Sequence, residues 1–254
     1  MPVERRSLGD SGISVPSIAL GTVKFGRNSG VKYPTGFELP GDDTIVDLLT
    51  LARQHGINLI DTAPAYGSSE ERIGQLLPGK RTDWLLSTKA GEIYEDGGSR
   101  FDFSGDAIIA SVERSLDRLN TDYLDIVLVH SDGNDSFILE ETDALAALAE
   151  LKAKGLIRLT GMSTKTVEGG LKTLDVADVV MVTYNPTATS DRAVIETARQ
   201  KGKGVLVKKA LVSGHGDAAE CLQFALAEPG VSSVVLGTIN SAHLQQNIQV
   251  ATTS

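Results

Sequence analysis

Residues 57–89, INLIDTAPAYGSSEERIGQLLPGKRTDWLLSTK, pass from a short apolar run at 57–60 through a polar turn and a helical stretch at 70–77 to a second apolar run at 84–87. The unit recurs along the whole chain. Apolar runs at 17–20, 124–129, 157–160, 179–182, 205–207 and 233–236 bring the candidate strands to eight. Helical periodicity occupies 44–55, 106–119, 143–154, 166–174, 191–201 and 217–227, and an eighth helix at 242–250 follows the last strand. Strand then helix, eight times, predicts an α/β fold in the form of a closed (β/α)8 TIM barrel, one domain spanning residues 1–254.

Local chemistry agrees with that count. Asp, Ser or Thr caps precede several helices, and Gly56, Gly155 and Gly202 follow three of them, as left-handed helix ends require. The opening segment 5–15, RRSLGDSGISV, has the turn residues of a β-hairpin and is expected to close the barrel bottom. Two long connections, 22–41 after the first strand and 91–104 with its Gly97-Gly98 pair after the third, are expected as loops over the barrel mouth.

Composition narrows the partners. A chain of 254 residues that is 41% hydrophobic can bury a large core. With 24 basic and 33 acidic residues its net charge is −9, which argues against nucleic acid or an anionic membrane and for a small molecule. The start is charged rather than apolar, no segment reaches the length of a membrane helix, and a cytoplasmic protein is expected. Cys221, alone of its kind, falls in a helical run and reads as a buried structural thiol. No metal site is expected.

Four polar side chains end three consecutive strands: Asp61 and Tyr66 after the second, Lys89 after the third, His130 after the fourth. Their convergence at the mouth makes a proton-transfer device. A phenol with an ordinary pKa of about 10 is a poor acid at neutral pH, and a neighbouring cation lowers it. Lys89 supplies that cation, Asp61 keeps it charged and aimed, and His130 is able to donate a hydrogen bond to a substrate oxygen.

The motif Asp61-Thr-Ala-x-x-Tyr66-Gly67, followed by Ser-Thr-Lys89 and Leu-Val-His130 at the next strand ends, resembles the aldo-keto reductase superfamily over nearly the whole chain. The resemblance implies reduction of aldehydes or ketones by hydride from NADPH, with NADH also open, and a small carbonyl substrate. It implies Tyr66 as general acid, Lys89 and Asp61 as its tuners, and His130 as the group that orients the carbonyl. Gly161-Met162-Ser163 is similar to the family's fifth strand end, whose serine bonds the nicotinamide carboxamide. The segment Gly237-Thr238-Ile-Asn240-Ser-Ala-His243-Leu-Gln-Gln246-Asn247 is similar to the one that holds the adenosine half, where a helix amino terminus offers N–H groups to phosphate.

The cofactor side also departs from the family pattern. Thr164 stands where asparagine is common, Met181 where a glutamine is common, and Met181 cannot supply an amide; Tyr184-Asn185 downstream keeps the register. Lys208 replaces an aromatic that stacks on the nicotinamide, and is read either as a lysine whose stem lies on the ring or as a direct contact to phosphate or substrate. Lys209 is the pyrophosphate candidate. His243 stands where arginine is common, and Lys165 could supply the missing cation. Two other readings remain: a Schiff-base enzyme on Lys89 or Lys208, and a nicotinamide-binding sensor with slow turnover or none.

Overall fold

The computed structural model describes residues 1–31, 33, 36–95 and 97–253. Lys32, Pro34, Thr35 and Asp96, in the two expected mouth loops, lie outside the described residues, as does Ser254. The chain opens with strands β1 (Arg5–Ser7) and β2 (Ser14–Pro16), paired antiparallel as the expected hairpin. The barrel strands are β3 (Ile18–Gly21), β4 (Leu59–Asp61), β5 (Leu85–Ala90), β8 (Leu124–His130), β9 (Ile157–Ser163), β10 (Val179–Thr183), β11 (Gly204–Lys208) and β12 (Ser233–Gly237). They pair in parallel in that order, and β12 closes on β3. The eight expected strands are all present, displaced by one to three residues at some ends.

Helices α2 (Asp42–Gln54), α3 (Ser69–Leu76), α4 (Gly105–Arg118), α6 (Ala144–Ala153), α7 (Val167–Val176), α8 (Arg192–Gln200), α9 (Ala218–Leu226) and α10 (Ser241–Thr253) follow successive barrel strands. Four of them begin on side-chain caps: Ser104, Thr166, Asp217 and Asn240 accept N–H bonds from the first turns of α4, α7, α9 and α10. Gly56, Gly155 and Gly202 take the left-handed conformation expected after their helices. Among the described residues, no helix is long and apolar enough to cross a membrane.

Three elements lie where the sequence indicated only connections. A short helix, α1 (Val23–Gly26), follows β3, and α5 (Asp135–Glu141) follows β8. The stretch after β5 folds into a two-stranded ribbon of β6 (Glu92–Glu95) and β7 (Gly98–Phe101), with Glu92 opposite Phe101 and Glu95 opposite Gly98.

Strand periodicity decides what reaches the mouth. Leu59, Ile126, Leu128, Leu159, Met181 and Leu206 belong to the cluster inside the barrel. Alternate residues point to opposite faces, so Asp61, Lys89, His130, Ser163 and Lys208 continue the inward-facing rows to the carboxyl ends of their strands. The bottom is sealed by the hairpin: Leu8 is fully buried, and its Cδ1 lies 2.6 Å from where a Cβ on Gly204 would stand. Only a glycine at the start of β11 leaves room for that plug.

Leu8→Ala should therefore leave a void that the rigid strand ends cannot fill, at a cost of about 2–5 kcal/mol. Urea unfolding of the two proteins would show a lower midpoint at unchanged slope.

Candidate active site

At the mouth, the Lys89 ammonium donates to Asp61 Oδ2 at 2.8 Å and to the Thr62 carbonyl at 2.9 Å. The Ser87 hydroxyl donates to Asp61 Oδ1 at 3.2 Å. Both charged side chains are almost completely buried, at 2% and 4% exposure, so the pair is screened from water and locked to the ends of β4 and β5. Tyr66 ends a 3-10 turn, Pro64–Tyr66, that leaves β4. Lys89 Nζ lies 4.7 Å from the centre of its ring. Gly67 is left-handed, and a Cβ on it would stand 2.2 Å from the Gly26 carbonyl oxygen. The glycine after the tyrosine thus lets the turn press against the end of α1.

Burial pushes the Tyr66 phenol above its ordinary pKa; Lys89 pulls it back, and Asp61 pushes it up again. The expected lowering by Lys89 is present but outweighed. Burial lowers Lys89, yet Asp61 and Tyr66 more than restore it, so its pKa ends above the ordinary lysine value. The arrangement stores a protonated phenol beside a fixed ammonium.

His130 ends β8 with its ring edge-on to Tyr66, centroids 6.3 Å apart. Burial lowers its pKa while Glu92 opposes that effect. Glu92 is the functional candidate that sequence reasoning missed: its Oε2 lies 2.7 Å from His130 Nδ1. The carboxylate approaches off the line of the ring N–H, so the contact lacks hydrogen-bond geometry. Burial raises the Glu92 carboxyl, but His130, Ser99 and Arg27 outweigh burial and bring it to about 2. Alternating residues around Gly97-Gly98 were the available signal for the ribbon that carries it.

A second missed residue is Tyr33, in the connection after β3. Burial and then the nearby Tyr66 raise its pKa to about 12. Its hydroxyl lies 3.3 Å from the position of a Cβ on Gly237. Lys24 stands over its ring at 4.0 Å.

The expected cofactor residues divide into two groups. Ser163 and Lys208 meet: Lys208 Nζ donates to Ser163 Oγ and to the Thr164 carbonyl, both at 2.7 Å. Burial, with Lys209 and Lys89 adding like charge, lowers Lys208 from 10.5 to about 7. Lys209 has positive φ, and its carbonyl accepts from Asn185 Nδ2 at 3.0 Å. Thr164 Oγ1 turns to the Met181 carbonyl at 3.5 Å, and Met181 is packed inside the barrel beside Ser163 in register.

Tyr184 does not join them. Met181 and Thr183 share the inward face of the strand, so the next residue turns outward, where Tyr184 stacks on Phe224 with centroids 5.1 Å apart. Its hydroxyl is engaged by Glu228 and by Arg192 Nε at 3.0 Å. Lys165 is drawn to the β6–β7 side of the mouth, 5.9 Å from the centre of Phe101. At the start of α10, Asn240 Oδ1 accepts from the backbone of Ala242 and His243 at 2.8 and 3.3 Å, so these N–H groups are already capped. Thr238 Oγ1 accepts from the Asn240 backbone at 3.1 Å. His243 and Gln246 are exposed, while Asn247 is buried.

This donor set fits a nicotinamide. Gly21 and Gly237 are paired in register at inward-facing strand ends, so no side chain from either fills that side of the mouth. A hydroxyl and an ammonium stand together at Ser163 and Lys208 and suit a carboxamide oxygen.

Comparison with known proteins gives the same family throughout. A model described as the aldo/keto reductase family matches residues 17–220. A crystal structure assigned to the aldo-keto reductases, from Pseudomonas aeruginosa, is 49% identical and superposes with a TM-score of 0.91, covering 98% of this chain and 94% of that one. L-galactose dehydrogenase of Arabidopsis thaliana is 26% identical over 98% of this chain and 88% of its own length. The NADH-specific methylglyoxal reductase of Escherichia coli is 34% identical over 61% of this chain and half of its own.

A half-buried lysine with pKa near 7 charges the fold at a cost wherever the unfolded chain is also charged. That cost is full below about pH 7 and disappears as pH approaches 10.5. Lys208→Met is expected to raise Tm at pH 6 and to raise it progressively less between pH 7 and 10.5, as read by calorimetry.

Proposed function

Because this chain belongs to the aldo/keto reductase family, we propose that its NAD(P)H-dependent reduction of small carbonyl compounds runs through Tyr66 as the general acid. The observation that carries this reading is the buried Lys89–Asp61 pair at 2.8 Å beside a phenol that remains protonated. A bound nicotinamide supplies hydride to the carbonyl carbon. Tyr66 gives its hydroxyl proton to the carbonyl oxygen, and the Lys89 ammonium stabilises the phenolate left behind. Asp61 keeps Lys89 charged and aimed, and His130 orients the substrate oxygen.

Ser163 and Lys208 would hold the carboxamide, with Thr164 and Met181 supporting them from the backbone and the packed interior. Lys209 and the segment Gly237, Thr238 and Asn240 would meet the phosphates; His243, Gln246 and Asn247 would meet the adenosine. Tyr184 would act only through packing. In this reading residues 1–254 work as one barrel domain.

The charged state of Lys89 argues against a Schiff base there, since a protonated amine is not a nucleophile. The proximity of Tyr66, Lys89, Asp61 and His130 argues for turnover rather than a sensor. We expect Tyr66→Phe to keep cofactor affinity while losing about 100-fold or more of kcat/KM for aldehyde reduction. Undiminished reduction by that variant would remove Tyr66 from its role.

NADPH is the expected cofactor, with weak discrimination against NADH. The first turn of α10 offers an exposed His243 and no arginine for the 2′-phosphate. Parallel fluorescence titrations should give dissociation constants within about tenfold of each other, or about 1.4 kcal/mol. A far larger preference for either cofactor would require a cation elsewhere in the site.

A further inference from the structure

Glu92 reaches the site from a ribbon fastened to the chain around Tyr66. Ser99, on the opposing strand, donates to Glu92 Oε1 at 2.6 Å, which leaves Oε2 to face His130. Arg27 stacks its guanidinium 3.4 Å from the centre of Tyr94 and donates to the carbonyl of Ala65, next to Tyr66, at 3.0 Å. The Ser29 and Tyr94 hydroxyls lie 3.2 Å apart. Glu92 is 11% exposed and His130 18%, so water screens their contact little.

A carboxylate oxygen at 2.7 Å, even off the line of the ring N–H, is repelled by a bare Nδ1 lone pair and attracted by an N–H dipole there, and an ionised carboxylate carries no proton of its own. The proton therefore belongs to Nδ1 of His130. A neutral imidazole holds one proton, so Nε2 is then a bare acceptor; it donates only when the ring is an imidazolium.

We propose that Glu92 is a positioning residue that pins a proton on His130 Nδ1, so that the charge of the ring decides whether Nε2 serves carbonyl reduction or alcohol oxidation. This rests on the role of His130 at the substrate oxygen given above. As imidazolium, with Glu92 as counter-ion, His130 donates to the carbonyl oxygen. Hydride adds to the carbon, the C=O π pair moves to oxygen and takes the Tyr66 proton, and the phenolate regains a proton from solvent. His130 ends the step as it began it. As a neutral ring, Nε2 accepts from an alcohol hydroxyl and suits the reverse reaction.

The groups around His130 set the balance. Burial opposes the imidazolium most, and Glu92 from β6 favours it. Lys89 from β5 and Lys208 from β11 add to the opposition so that the ring's pKa ends below its ordinary value, and Tyr66 faces the ring from the turn after β4. Ser99 and Arg27 face Glu92 and keep it ionised.

Long-range proton–nitrogen NMR on the full chain labelled at histidine reads tautomer and charge directly, with His130→Gln used only to assign the signal. The wild type should show its neutral His130 protonated on Nδ1. In Glu92→Gln the ionisation of His130 should move about one pH unit or more toward acid, with the Nε2–H tautomer gaining population. The pH limb of reductive kcat/KM should move with it, and Glu92→Asp should fall between the two. A wild-type ring protonated on Nε2, or an unmoved titration in both variants, would overturn the proposal. Absence of reduction by the wild type would instead overturn the Tyr66 reading, and the NMR titration would still decide the role of Glu92.

Discussion

Everything at the barrel mouth depends on the buried contact between Lys89 and Asp61. Taking two charges out of water costs several kcal/mol each, and their mutual attraction in a dry interior returns that cost only when geometry and hydrogen bonds are good. Here the Thr62 carbonyl and the Ser87 hydroxyl complete the pair. Such a pair adds little net stability, and losing either partner would strand a charge. It fixes a point of positive potential beside Tyr66, at the end of two strands whose positions the closed barrel dictates.

Around that fixed point the site is assembled from connections rather than strands. The turn bearing Tyr66 presses on α1, Arg27 ties that turn to the β6–β7 ribbon, and the ribbon brings Glu92 to His130. The rigid part supplies charge and the connecting part supplies aim. The Lys89–Asp61 pair is held by β4 and β5 and their own hydrogen bonds, so it does not depend on the connections that carry the aiming groups.

The parts legible in the sequence are those that local pattern controls. Short apolar runs and left-handed glycines located all eight strands and the ends of three helices, and strand ends named Asp61, Tyr66, Lys89 and His130. Glu92 escaped because its meaning exists only once residues 92–101 pair with each other and lie across the mouth. Tyr184, expected at the cofactor from its motif, faces outward onto Phe224, a direction that the alternation from Met181 already carried. The direction of the Tyr66 shift also needed the structure: sequence supplies the neighbouring cation, whereas the burial that outweighs it is a property of packing.

Leu8, seated in the gap beside Gly204, joins residues about 200 apart in sequence, which is the kind of contact that slows folding. Its apolar side chain is synthesised well before Gly204 and has no complete socket until β11 is in place. During that interval the hairpin has an uncovered hydrophobic tip, and the unfinished barrel has unpaired strand edges beside it. Such edges and tips are what chaperones bind and what aggregates grow from. The feature that seals the finished barrel is thus also its main exposure while it is being made.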